Sequence, residues 1–235
     1  MPAIEAYSAG VISDADHEIV HASLERPVAL AEGFDIIGRM VNFGFGRPLA
    51  ALCAIELRSP RPMTLSEFGS LNRRYSAVVA GLGLLLADGN PIARTNVVPL
   101  KSPPDEPSLS GFSLTLPRRL SVQTDTFVIA GAAELNGPSE GNIVRRGDRS
   151  PGAVEEKVHF VLNRQAGRLA ALEGARSSIT AVNVYTALDI SSTLASILAQ
   201  MAPHLARFHW HAALPPIQEL DFEMDLRSVN REIVI

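Results

Sequence analysis

Thr64-Leu65-Ser66-Glu67-Phe68-Gly69-Ser70-Leu71-Asn72-Arg73-Arg74-Tyr75 is followed in the chain by Pro91-Ile92-Ala93-Arg94-Thr95-Asn96-Val97-Val98. The first stretch reads as a helix. Thr64 and Glu67 have capping-box spacing, and Phe68, Leu71, Tyr75, Val78, Val79 and Leu82 recur at helical intervals. The second reads as a strand whose approach is fixed by Pro91 and whose alternation presents Arg94 on one face. A guanidinium is planar, always charged and matched to a carboxylate through two parallel hydrogen bonds. Arg94 is therefore a candidate carboxylate-binding residue. The competing reading of Arg94 is a surface arginine paired with an acid. Thr95 and Asn96 are weaker candidates, because alternation puts only one of them on the face of Arg94.

Working outward, a second helix is predicted from Ser150-Pro151, with proline at its first position and Val154, Val158, Val161, Leu162 and Leu169 as its stripe. A third starts near Ser191 or Ser192. Strands are predicted at Leu49 to Leu57, Ala93 to Val98, Leu109 to Leu116, Thr126 to Ala130, Ile179 to Ala187, Phe208 to Ala212 and Leu220 to Leu226. The first forty residues are ambiguous and have room for two strands. The order strand, helix, strand, strand occurs in both halves, which reads as a degenerate internal repeat. Its join is placed at Pro117-Arg118, giving units 1–117 and 118–235.

The 235 residues allow one or two domains with a substantial core, and 46% hydrophobic residues exclude disorder. No apolar run approaches membrane-spanning length. The opening residues, Met1-Pro2-Ala3-Ile4-Glu5, show no basic segment before an apolar stretch, so a secretory leader is not expected and a cytoplasmic location is. A net charge of −4 gives no general attraction to nucleic acid. The arginines look scattered. The single cysteine, Cys53, lies in an apolar run and reads as a small buried hydrophobe.

The Asn-x-x-Tyr helix and the Pro-x-Ala-Arg-Thr strand resemble the substrate-binding half of the YjgF/Rid family of imine and enamine deaminases. Phe127-Val128-Ile129-Ala130-Gly131 is similar to that family's first core strand, Val182-Asn183-Val184-Tyr185-Thr186 to its third, and Leu220 to Met224 to its closing hairpin. The second half departs from the pattern at the pocket: Ala130 stands at the serine position, Ala195 at the helix asparagine, and the arginine position falls out of register near Ala206 or Arg207. The resemblance implies an α+β protein of two tandem Rid-like, chorismate-mutase-like units. Each would have an antiparallel-rich sheet with helices on one face, and neighbouring chains would close trimeric barrels, giving a homo-oligomer in multiples of three (trimer or hexamer). Family pockets lie between units, so the Asn72/Arg94 face of one unit would meet the Gly131 strand of another.

One more constellation stands out. Alternation puts His209 and His211 on one strand face and Asp221, Glu223 and Asp225 on another. If these strands pair as a hairpin, imidazoles and carboxylates share a surface. A solvated polar face, a proton-transfer site and a metal site compete, in that order. The resemblance implies hydrolytic deamination of an enamine or imine acid. The expected substrate is a 2-aminomuconate-type dicarboxylate, possibly ring-substituted, from aromatic catabolism. Arg94 would hold the carboxylate, with Asn72, Thr95 and Gly131 around it. Glu223, Asp221 or His211 would protonate carbon, with no metal or organic cofactor needed. The alternatives are a chorismate-type or other small-carboxylate hydrolase, and a non-catalytic small-carboxylate binder.

Overall fold

The computed structural model describes residues 6–87, 89–119, 124–137, 139–172, 179–201 and 207–235. In chain order the elements are β1 (Gly10–Ile12), β2 (His17–Ala29), α1 (Leu30–Arg39), β3 (Leu52–Arg58), α2 (Leu65–Gly81), β4 (Ala93–Pro99) and β5 (Ser108–Pro117). There follow β6 (Phe127–Ala133), α3 (Pro151–Ala171), β7 (Ala181–Thr186), α4 (Leu194–Met201), β8 (Arg207–His211), β9 (Ala213–Leu214), β10 (Phe222–Ser228) and β11 (Glu232–Val234). The class is mixed α+β. Two sheets form, ordered β11-β2-β5-β3-β4-β9 and β1-β6-β10-β7-β8, and neither closes on itself among the described residues.

The sheets share one core pattern. β2-β5-β3-β4 pair antiparallel, antiparallel, parallel, and β6-β10-β7-β8 do the same. The cause of each parallel pair is a helical crossover: α2 carries the chain from β3 to β4, and α4 carries it from β7 to β8. This corrects the expected hairpin of the histidine and acid strands. β8 pairs with β7, and β7 separates it from β10. The ends of the chain cross between sheets. β1 joins the second sheet, while β9 and β11 join the first.

Each sheet buries its apolar face under its own helices. Phe34, Ile37, Tyr75, Val79, Leu109 and Phe112 belong to the first core. Phe127, Val158, Leu162, Val184, Phe222 and Met224 belong to the second. The capping box forms as predicted, with Glu67 N donating to Thr64 Oγ1 at 3.2 Å and Thr64 N to Glu67 Oε2 at 2.9 Å. Helix α1 was not legible because Gly33 lowers its helical propensity and Ala29 offers no side-chain cap. The fold needs that glycine: a Cβ at Gly33 would lie 2.6 Å from Leu109 Cβ.

Between the sheets lies a polar layer. Arg227 donates to Glu56 at 2.8 Å and to Glu232 at 3.0 Å, and Arg58 reaches Glu56 at 3.1 Å. Burial works against the Glu56 carboxylate, but His21, Arg227 and Arg58 more than offset it and hold its pKa below the usual range. Cys53 is buried, and burial alone pushes its thiol up to about 12, so it is no nucleophile at neutral pH. Trp210 is 42% exposed because β8 is an edge strand. No helix among the described residues is long and apolar enough to cross a membrane.

Candidate functional site

The segment before β1 opens the site. Ala130 N donates to Ala9 O at 3.0 Å, and Ser8 N donates to Ile92 O at 2.9 Å, so the N-terminal strand leaves β6 and crosses to β4. From Gly131 onward this edge of β6 has no strand partner among the described residues. Its backbone groups are satisfied by side chains, as buried amides require. Gly131 N donates to Thr95 Oγ1 at 3.0 Å, and Arg168 donates to the carbonyls of Ala130 and Gly131 at 2.8 and 3.2 Å. A cavity of about 300 Å³ opens there, lined from the first half by Tyr7, Phe68, Arg94 and Asn96, and from the second by Gly131, Arg164, Arg168 and Glu223 among others.

Arg94 sits at the base. It is 2% exposed, and its guanidinium carbon lies 4.4 Å from the Tyr7 ring centroid, 4.8 Å from Tyr75 and 5.7 Å from Phe68. Asn72 on α2 accepts from its Nη2 at 2.6 Å, while its Nη1 is buried with no hydrogen-bond partner among the described residues. Burial lowers its pKa, but a guanidinium stays charged. A buried, ring-clamped cation with one donor unsatisfied by the described residues is arranged for an anion. Asn72 does not line the cavity; it positions Arg94. Thr95 likewise pins β4 to β6, and does not face the cavity.

Glu223 on β10 faces the same space. Burial, then the neighbouring charge of Asp225, pushes its pKa up to about 8, with Arg168 acting in the opposite direction. It is therefore an acid at neutral pH. Gly131 lies directly against it: a Cβ there would overlap the Glu223 carboxylate and come 3.1 Å from Thr95 Cγ2. Glycine at 131 thus makes room for the carboxyl group at the cavity wall. The rest of the wall is apolar, with Phe68, Leu135, Ile217 and Leu220 packed in one cluster.

Two of the sequence candidates are placed elsewhere. Asp221 is buried beneath the site, accepting from Lys157 at 2.5 Å and from Arg149 at 2.8 Å. Beside it, Glu134 accepts from the backbone of Asp221 at 2.6 Å and Phe222 at 3.1 Å. Burial pushes Glu134 up to about 7. These contacts fix the start of β10 and hold the Asp221 carboxylate out of the cavity lining. Lys157→Met is expected to lower unfolding free energy by about 3–5 kcal/mol, because it removes the buried ammonium that faces both Asp221 and Glu134; denaturant titration at neutral pH checks this. His211 stacks on Tyr185 with centroids 4.8 Å apart, and Tyr185 stands between it and Glu223 in the sheet register. Burial and then Arg58 push its pKa down to about 4, so it is neutral and remote. His209 instead bonds Asn183 at 2.9 Å, which bonds Asp225 at 2.7 Å. No group of three or more His, Cys, Asp or Glu among the described residues is placed to hold a metal ion. Of the second half's arginine positions, Ala206 lies outside the described residues, and Arg207 is paired with Glu232 at 2.5 Å.

Sequence reading missed Tyr7, Arg164 and Arg168. The arginines are four apart on α3, the spacing that puts two side chains on one helix face, and that signal was available. Tyr7 gave none, since it reaches the cavity only through the crossing of the N-terminal strand.

A cavity that joins a buried arginine to a glutamate held protonated has the chemistry to bind a carboxylate and move a proton. The chain as a whole, residues 1–233, matches the family of the 2-aminomuconate deaminase CnbZ, and it belongs to that family. It is thus an aminomuconate-type deaminase of aromatic catabolism, an enzyme acting on C–N bonds. It is 33% identical over 238 residues to the 2-amino-5-chloromuconate deaminase of Comamonas testosteroni, covering 100% of this chain and 94% of that protein. A solved chorismatase structure is similar with a TM-score of 0.49 and 12% identity, over 85% of this chain and 69% of that one.

Proposed function

We propose that the cavity hydrolyses a 2-aminomuconate-type enamine acid, with Arg94 binding the carboxylate beside the amino-bearing carbon and Glu223 as the general acid. The observation that carries this is the pairing of the unsatisfied Arg94 Nη1 with a glutamate held protonated on the same wall. Glu223 gives its proton to the enamine chain, forming an iminium, and becomes a carboxylate. That carboxylate takes a proton from water as the oxygen bonds to the iminium carbon. The proton then passes to nitrogen, the C–N bond breaks, and the carbinol oxygen loses its proton to restore the acid. One water is consumed and one ammonia leaves with a 2-oxo acid. The iminium is its own electrophile, and Arg94 holds the adjacent carboxylate against its pull.

The test is ammonia release from freshly generated 2-aminomuconate, followed together with loss of diene absorbance. Ammonia at the uncatalysed rate, with ligand binding intact, would leave a carboxylate binder in place of the enzyme.

The shared strand order of the two sheets and the cavity between the halves support reading the chain as two Rid-like units, 1–117 and 118–235. On that reading the open edge at β8 and the polar face behind it meet neighbouring subunits. The expected assembly is a homo-oligomer in multiples of three. Light scattering at micromolar concentration checks this, and a stable monomer counts against it.

A further inference from the structure

The cavity lining carries three arginines, Arg94, Arg164 and Arg168, against one acid, Glu223, among the described residues. With that acid protonated, one carboxylate on Arg94 leaves the Arg164 guanidinium without a carboxylate among the described residues. Arg164 is half-buried there. Its guanidinium lies 4.9 Å from the Phe160 ring centroid, and no carboxylate of the described residues pairs with it. Burial and the like charge of Arg168 both disfavour its charged form, with Tyr7 opposing them. Arg168 is turned toward the β6 edge by its bonds to Ala130 and Gly131.

We propose that Arg164, backed by Arg168, forms a second anion subsite that takes the distal carboxylate of a dicarboxylate substrate and selects against monocarboxylates. This deepens the proposed function, since it takes the cavity to be the substrate site. Arg94 fixes one end of a planar conjugated chain, the wall of Phe68, Leu135, Ile217 and Leu220 covers its apolar middle, and Arg164 reads the far end. The Arg94 end is dry and tightly framed, so it orients the reacting carbon. The Arg164 end is half-open, so it sorts ligands by charge and tolerates differences in the chain between.

The test uses two unreactive probes, muconate with a carboxylate at both ends and sorbate with one, measured by calorimetry on the intact protein. Wild type should bind muconate at least roughly tenfold tighter than sorbate, the range of one charge-assisted contact. Arg164→Gln should remove most of that preference and leave sorbate affinity unchanged, and Arg164→Lys should keep part of it. Arg94→Gln should weaken both probes. Equal affinity of the two probes in wild type, or equal losses of both in Arg164→Gln, would overturn the subsite. The readout does not depend on turnover. If Arg164-dependent preference is found but no ammonia is released, the deaminase reading fails and the subsite stands. If ammonia is released while Arg164→Gln keeps the wild-type muconate preference and substrate KM, the subsite alone fails.

Discussion

Glu223→Gln should lower kcat on 2-aminomuconate by about 10²–10⁴, the contribution of a positioned general acid, while KM changes little. Gln fills the same space beside Gly131 but has no proton to give. The pH profile separates a proton donor from a structural residue. The Glu223 pKa is raised to about 8, so the active, protonated form is lost as pH rises through that value. Wild-type kcat/KM should fall on the alkaline side of about pH 8, and the residual activity of Glu223→Gln should lack that limb. Stability moves in the same direction. A carboxyl whose folded pKa is raised gives its full contribution below the unfolded value of 4.5, and that contribution is lost as pH climbs through about 8. Replacement by Gln should therefore flatten the loss of stability across that window. A Gln variant with wild-type kcat would remove Glu223 from the reaction.

Arg94→Ala should reduce kcat/KM by roughly one to two decades, the worth of a lost charge-assisted contact of about 1.5–3 kcal/mol. Lys should rescue only partly, because an ammonium cannot present the planar fork and would lie among rings shaped for a flat cation. Removing Arg94 also leaves Asn72 without its 2.6 Å partner. Asn72→Ala should give a smaller effect, since the clamp by Tyr7, Tyr75 and Phe68 remains. Wild-type kcat/KM in Arg94→Ala would move the carboxylate site elsewhere. Circular dichroism and a thermal melt of each variant separate lost binding from lost fold.

Much of the fold was legible because period and caps are local. The α2 capping box, the Pro151 start of α3 and the short apolar strands needed no partner to be read. Long-range pairing was not local. The histidine and acid strands lie close in sequence and invite a hairpin, yet the crossover through α4 delivers β8 to the far side of β7. That displacement took His211 out of the site, while the buried Lys157 took Asp221. Arg94, Gly131 and Glu223 line one cavity, and each carried its own signal: a strand arginine, a strand-ending glycine and an alternating acid. Arg164 and Arg168 were dismissed as scattered because no sequence rule said which face of α3 would meet the β6 edge.

The chain ends exchange strands: β1 from the first half completes the second sheet, while β9 and β11 from the second half complete the first. The peptide link between Arg119 and Thr124 is therefore not what joins the halves. A protease cut there would leave two fragments clasped at both ends, each holding a piece of the other's sheet. Tyr7 and Arg94 would still face Gly131 and Glu223, and the nicked protein would keep this cavity until both sheets were pulled apart.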